Sequence, residues 1–289
     1  MQTVAFGTAQ HIRFYQRIFE VLTAEWLYVG YCPCQGHTVK QCAVRLLNQT
    51  PTLLMPLLTD LARHLLQPAT IVATERVAAH TYRLSLSGPA LVGWTYVPGQ
   101  TLNVFFGLHS RADAASLRKR TYSIWGYDAD AGRLEVAVCT FSDGPGAQWA
   151  AACRPGDVVH FHGPGGKFVL DPTAPAYALL GDISCLAHFY ELRRHIPSHV
   201  PVASVIHAHQ ADDCFADVDG SWPLHFVVAN TLSAAQFVTA AQSQGLQLTA
   251  PHALVYWGGP QATCVTGHRL LQQEYRWPAG LLKSKPFWK

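Results

Sequence analysis

Between residues 69 and 163 apolar and polar positions alternate in short runs, each closed by Gly, Pro, Asn or Asp. The runs are TIVATERVA, TYRLSLSG, QTLNVFFG, RTYSIWGYD, RLEVAVCTF and DVVHFHG. A period of two sends successive side chains to opposite faces, so each run predicts a half-buried strand. Six in succession predict an antiparallel barrel or sandwich. Past the proline-rich segment 171–176 the alternation ends. YALLGDISCLAHFYELRRH then sets an apolar strand, a glycine turn and a helix in series, and PVASVIHAH, PLHFVVAN and HALVYWGG are further strands spaced by helical stretches. Strands alternating with helices predict a parallel sheet covered on both sides.

The first 66 residues follow a helical period instead. Ile12, Tyr15, Ile18, Phe19, Leu22 and Trp26 share one helix face, and PTLLMPLLTDLARHLL over 51–66 repeats the pattern with Pro51 suited to a first turn. A weaker helix is predicted near 38–48. The expected organisation is a helical extension (1–66), a β domain (67–175) and an α/β domain (176–289), an α+β two-domain class with an added N-terminal segment. A length of 289 residues, 49% of them hydrophobic, can fill a core in each of two domains.

Charge narrows the partners. Charged residues make up 13% of the chain and the net charge is +3, too sparse for a face carpeted with Lys and Arg, so nucleic acid is not expected as a partner. Three helices at the N-terminus invite comparison with a DNA-reading module. Leu53, Leu54, Leu57, Leu58, Leu61, Leu65 and Leu66 instead make the third a broad apolar face, with Arg63 and His64 alone available to phosphate or base. Packing or a homodimer contact is the expected use. The N-terminus has no basic start followed by an apolar core, and no stretch approaches the roughly 18 to 20 apolar residues of a membrane span. No membrane association and a cytoplasmic location are expected. Of the eight cysteines, five are scattered singly through strands and helices and are expected to be reduced. Cys32, Cys34 and Cys42 form C-x-C-x7-C, which lacks the paired C-x2-C spacing and a clear fourth ligand, so no metal site is assigned there.

The sharpest chemical pattern is Arg120-Thr121-Tyr122-Ser123 at the start of a barrel strand, preceded by Pro98-Gly99-Gln100 and followed by Asp143-Gly144-Pro145-Gly146-Ala147. A flavin dinucleotide needs a cation near its pyrophosphate, a flat surface against its ring, and hydrogen-bonding groups at its N5 and O4 edge. Arg120 can supply the first, Tyr122 the second, and Ser123 with its backbone the third. Gly144 and Gly146 clear side chains from backbone N–H groups that could approach phosphate. No nucleophile triad or paired carboxylate stands at convincing spacing.

These motifs resemble the siderophore-interacting proteins, or ferric-siderophore reductases, within the ferredoxin-reductase superfamily. The likeness covers residues 70 to 289 and is densest in RTYSIWGYDADAGRLEVAVCTFSDGPGAQWAAACRPGDVVHFHGPGGKF. There the R-x-Y-[ST] motif, the D-G-P-x-x-x-W-A segment through Trp149, and Gly163, Pro164, Gly166 and Phe168 occur in the family's order. The resemblance implies a Greek-key β-barrel for FAD, held by Arg120, Thr121, Tyr122, Ser123, Asp143, Gly144, Pro145, Gly146, Ala147 and Trp149, with the loop through Gly166 beside it. It further implies that Gly181-Asp182-Ile183-Ser184-Cys185-Leu186 is the turn where NAD(P)H approaches, with Gly181, Asp182 and Ser184 in contact. A strand, glycine turn and helix would direct N–H groups to an anionic ligand there. Trp257-Gly258-Gly259 and the ending KPFWK resemble the family's C-terminal motifs, although Pro260, Cys185 and Phe141 depart from its usual Glu, Ala and His. Lys283, Lys285 and Lys289 are the candidate charges for steering an anionic ferric chelate. His207 and His209, two apart on a strand end, are expected near the nucleotide or exposed rather than on a metal. The implied reaction moves electrons from NAD(P)H through FAD to a ferric siderophore. The competing readings are a flavoprotein reductase of free flavin, quinone or a protein partner, and a flavin-loaded regulator.

Overall fold

The computed structural model describes residues 66–106, 118–247 and 252–288. The predicted N-terminal helices, save their last residue, and the Cys32, Cys34 and Cys42 group lie outside these residues. The chain divides into two compact units, Met1–Gln67 with Phe105–Lys119 and Pro68–Val104 with Arg120–Lys289. Apart from the strand-end residues Gln67, Phe105, Phe106, Arg118 and Lys119, the described strands and helices lie in the second unit.

Six strands close into an antiparallel barrel: β1 (Gln67–Ala78), β2 (Thr81–Ser87), β3 (Thr101–Phe106), β4 (Arg118–Asp128), β5 (Arg133–Cys139) and β6 (Val158–Gly165), in the order β1-β2-β5-β4-β3-β6. The alternation that predicted them also decides what fills them. Leu84, Leu86, Leu102, Val104, Ile124, Val136 and Phe161 are completely buried. β2 and β5 pair without interruption from Thr81↔Cys139 to Ser87↔Arg133, so one face of each stays toward the core throughout. Between β5 and β6 lies helix α1 (Pro145–Ala152), with Pro145 in its first turn, where a missing N–H costs nothing.

The second half is a five-stranded sheet in the order β11-β10-β7-β8-β9, comprising β7 (Tyr177–Asp182), β8 (Val202–Ala208), β9 (Phe226–Val228), β10 (Leu254–Pro260) and β11 (Leu282–Trp288). All four pairings are parallel. The chain runs from β7 outward through β8 to β9, then returns to the other side of β7 for β10 and β11. This reversal makes the C-terminal ends of β7 and β10 a topological switch point, the place where open sheets of this kind receive ligands. Helices α2 (Leu186–His195), α3 (Ala234–Gln242) and α4 (Gln261–Gln273) make the crossovers. Ser233 and Gln236 form a reciprocal capping box at the start of α3.

Helix α2 joins the two halves. Every residue from Leu186 to Leu192 is buried, because one side of the helix packs with Tyr177, Leu179 and Ile206 of the sheet and the other with Trp125 of the barrel, in a single core. Trp125 stacks on Tyr190 and meets Phe215 edge-on. Each such buried ring contributes on the order of 2–3 kcal/mol. Polar groups at this seam are satisfied across it: Trp125 Nε1 donates to Asp217 at 2.8 Å and the Tyr96 hydroxyl to Glu191 at 2.9 Å. Arg194 donates to Glu191, to Asp217 and to the Trp125 carbonyl, so one guanidinium serves two buried carboxylates.

Among the described residues Cys139, Cys153, Cys185, Cys214 and Cys264 are all free. No helix among them is long and apolar enough to cross a membrane.

Candidate functional site

Strand β4 carries the Arg120 to Ser123 motif to the first turn of α1, and glycine is what permits the approach. A Cβ on Gly146 would stand 2.5 Å from the Tyr122 hydroxyl and 3.4 Å from Arg120 Cγ. The phenol ring and the arginine stem therefore both lie directly against this turn. Tyr122 also stacks with Trp149 on the same helix, ring centroids 5.9 Å apart. Burial pushes the Tyr122 phenol above its ordinary range, so it stays neutral. Gly144 occupies the N-cap and no side chain caps the helix start. Gln148 Nε2 instead donates to the Asp143 carbonyl at 2.9 Å, which closes the loop from behind. Thr121, on the opposite face of β4, donates to Asn103 Oδ1 at 2.7 Å. Gly166 has φ +104°, a backbone that favours glycine, and a Cβ there would stand 3.2 Å from the Thr101 hydroxyl.

Ser123, predicted with its neighbours, has a partner that the sequence did not suggest. Its hydroxyl lies 3.0 Å from Nδ1 of His188, a fully buried residue of α2, and His188 Nε2 lies 2.9 Å from the Phe168 carbonyl. The Phe168 ring stacks on the imidazole at 5.0 Å. Burial, helped by the Lys285 charge, lowers the His188 pKa to about 3, so the ring is neutral. The signal available for it was one histidine three residues before Glu191 on the same helix, which by pattern alone does not separate it from an ordinary buried residue.

At the switch point Gly181, Asp182 and Ser184 occupy the end of β7 and the turn beyond it. Gly181 is held to glycine by packing: a Cβ would meet Cys185 Sγ at 2.4 Å and the Gly258 carbonyl at 2.7 Å. Asp182 accepts from Ser184 N at 3.1 Å and from the Ser184 hydroxyl at 2.5 Å, capping the short 3-10 turn Ile183–Cys185. Trp288 Nε1 donates to the other Asp182 oxygen at 3.1 Å. Burial raises the Asp182 carboxyl above the usual range despite these bonds. Gly259, at the end of β10, faces the same carboxylate, with its absent Cβ 3.0 Å from Oδ1. His207 and His209 lie at the end of β8, rings 4.9 Å apart, each bonded to a carbonyl, Ala229 and Asn230 respectively. Cys139 Sγ, at the end of β5, lies 3.8 Å from the Ile183 carbonyl, so barrel and sheet meet at this turn.

The lysine tail is strand β11. Lys283 donates to the Val169 carbonyl at 3.2 Å and to the Tyr256 hydroxyl at 3.4 Å. Lys285 lies over the Phe287 ring at 5.3 Å, and burial lowers its pKa. Lys289 lies outside the described residues.

A flavin dinucleotide fits what the barrel presents. A guanidinium and an uncapped helix start suit its pyrophosphate, the paired Tyr122 and Trp149 rings suit a planar group, and Gly146 keeps them in register. Residues 107–168 match the family model described as the siderophore-interacting FAD-binding domain. The chain resembles the siderophore-interacting proteins. Its likeness to the mycobactin import ATP-binding/permease protein IrtA of Mycolicibacterium thermoresistibile is 25% identity over 228 residues, 76% of this chain and 24% of that protein. To the ferric vibriobactin reductase ViuB of Vibrio cholerae it is 24% over 176 residues, 59% of this chain and 64% of that one. The chain thus spans about a quarter of the one relative's length and less than two thirds of the other's. A siderophore utilization protein from T. fusca superposes with a TM-score of 0.63 at 19% identity, covering 78% of this chain and 92% of that structure. At that identity the likeness is one of fold, the two-domain fold of the ferredoxin-reductase type.

Proposed function

We propose that the chain is an FAD-dependent reductase that takes electrons from NAD(P)H and delivers them to a ferric siderophore, releasing Fe(II). In this reading 67–175 is the flavin domain and 176–289 the nucleotide domain. The observation that carries it is the packing of Arg120 and Tyr122 against the open first turn of α1, with Tyr122 stacked on Trp149 one turn further along. The likeness to a protein named ferric vibriobactin reductase supports the choice of acceptor.

Bound flavin would supply the capacity to take up two electrons together and release them singly. The chain's own residues contribute placement. Arg120 sets a permanent charge beside the helix start, where phosphate is favoured. Tyr122 and Trp149 offer a neutral aromatic wall, and Ser123 a hydroxyl at the neighbouring position of β4. The turn after β7, with Asp182 tied by Ser184 and Trp288, is the proposed approach for the nicotinamide nucleotide. Ferric iron is held by hard oxygen donors far better than ferrous iron, so reduction loosens the metal from its chelator. Lys283, Lys285 and Lys289 are proposed to steer an anionic chelate, Lys283 from its place beside the Val169 carbonyl and the Tyr256 hydroxyl. The N-terminal helices are proposed as a homodimer contact.

The test is spectroscopic, then kinetic. Purified protein is expected to take up FAD with a band near 450 nm that NADH or NADPH bleaches under argon, and to reoxidise faster with a ferric siderophore than with free FMN or a quinone. Colourless protein that refuses FAD would remove the reading altogether. Reoxidation no faster with the chelate than with FMN or quinone would leave a reductase of another acceptor.

A further inference from the structure

The contact between Ser123 and His188 has a defined direction. A carbonyl oxygen can only accept, so the 2.9 Å contact with the Phe168 carbonyl requires the proton on Nε2 of His188. The buried ring is neutral and carries one proton, which leaves Nδ1 as an acceptor. The Ser123 hydroxyl, 3.0 Å away, must then be the donor. Its hydrogen is committed inward, to a residue with no exposed surface, and its remaining lone pairs are all it can offer elsewhere. Donation to the imidazole also enriches the oxygen as an acceptor, since linked hydrogen bonds polarise one another.

We propose that His188 is a positioning residue that makes Ser123 an acceptor toward the flavin, favouring the reduced, N5-protonated form over the oxidised form, whose N5 can only accept. This rests on the flavin reading of the site. Phe168 completes the device: its carbonyl sets the tautomer and its stacked ring holds the imidazole in plane. The chain runs from the barrel through α2 and back to the loop after β6, so both halves of the fold are needed to set one hydroxyl.

The experiment compares FAD midpoint potentials in wild-type protein, His188→Gln, His188→Asn, Ser123→Ala and the Ser123→Ala/His188→Gln double variant. Glutamine can keep the donor to Phe168 but lacks the acceptor for Ser123; asparagine can place its oxygen near the Nδ1 position. The expected result for His188→Gln is about a tenfold loss of preference for reduced over oxidised FAD, ~30 mV for two electrons. His188→Asn should stay near wild type, and His188→Gln should have no further effect once Ser123 is alanine. A potential unmoved by His188→Gln, or moved equally without Ser123, overturns the proposal. Should the variants not fold, ¹⁵N NMR of the wild-type histidines decides: a protonated Nε2 and bare Nδ1 at His188 support it, and the reverse tautomer overturns it. Wild-type protein that binds no FAD would fail the flavin reading and this inference together, whereas FAD uptake with an unmoved potential fails the inference alone.

Discussion

The indole of Trp288 donates to Asp182 at 3.1 Å, so the last described residue of the chain is tied to the turn that ends the central strand of the sheet. Because β11 lies at the sheet edge and β7 two strands away, this bond spans the C-terminal ends of three strands. Trp288→Phe keeps an aromatic ring and removes the donor. The expected cost is about 0.5–1.5 kcal/mol, since Asp182 retains its Ser184 bonds. Hydrogen exchange at residues 284–288 should quicken; unchanged protection there would show that the bond does not hold the tail.

Gly146→Ala tests the close approach beneath Tyr122. A methyl group 2.5 Å from the phenol oxygen must displace the ring, which is itself pinned against Trp149. Overpacking of this kind costs about 1–3 kcal/mol. The melting temperature should fall and FAD titration should show affinity lowered by more than tenfold. Wild-type FAD affinity in this variant would mean that Tyr122 does not form part of the flavin wall.

Arg120 is expected to recognise the pyrophosphate and not the ring. Arg120→Ala should therefore weaken FAD by roughly ten- to a hundredfold, the ~1.5–3 kcal/mol of a charge-assisted contact, while riboflavin affinity stays near wild type. Paired titrations with the two ligands check this. Equal losses for both would place the guanidinium elsewhere.

Acid should destabilise the fold through His188. Burial depresses its pKa from 6.5 to about 3, so between those values the unfolded chain binds a proton that the folded chain excludes. The stability that depends on keeping this ring neutral is complete above pH 6.5 and is lost progressively as the pH falls toward 3. Urea unfolding measured across this window should show a shallower pH dependence for His188→Asn than for wild type. Identical slopes would mean that the imidazole is not excluded from protonation.

The change from twofold alternation to alternating strands and helices was legible in the chain, because strand and helix periods are local properties that each segment carries alone. Strands such as TYRLSLS and RLEVAVC appear where the pattern placed them, and the R-x-Y-S motif sits on β4 beside the glycine loop. Two elements escaped that reading. Gly-Pro-Gly at 144–146 reads as a turn, yet it opens α1, since proline is tolerated in a first helical turn and glycine at its cap. The tail LKSKPFW, taken from the sequence only as a source of lysine charges and a family-like ending, is the edge strand β11, where only Leu282 is buried and pairing with β10 supplies the order.

Sequence alone thus determined the class of the described segments from the barrel onward and the residue types that they bring to the proposed flavin site. Which partners those residues take was decided by tertiary structure: Ser123 with His188, 65 residues distant, and Asp182 with Trp288, 106 residues distant. Residues 186–192 of α2 are buried all the way round the helix, so no alternation of exposed and buried positions along them marks the facing of His188. Only the packing of barrel against sheet brings that imidazole to β4, because contacts between distant segments follow from how the layers close and not from any period within them.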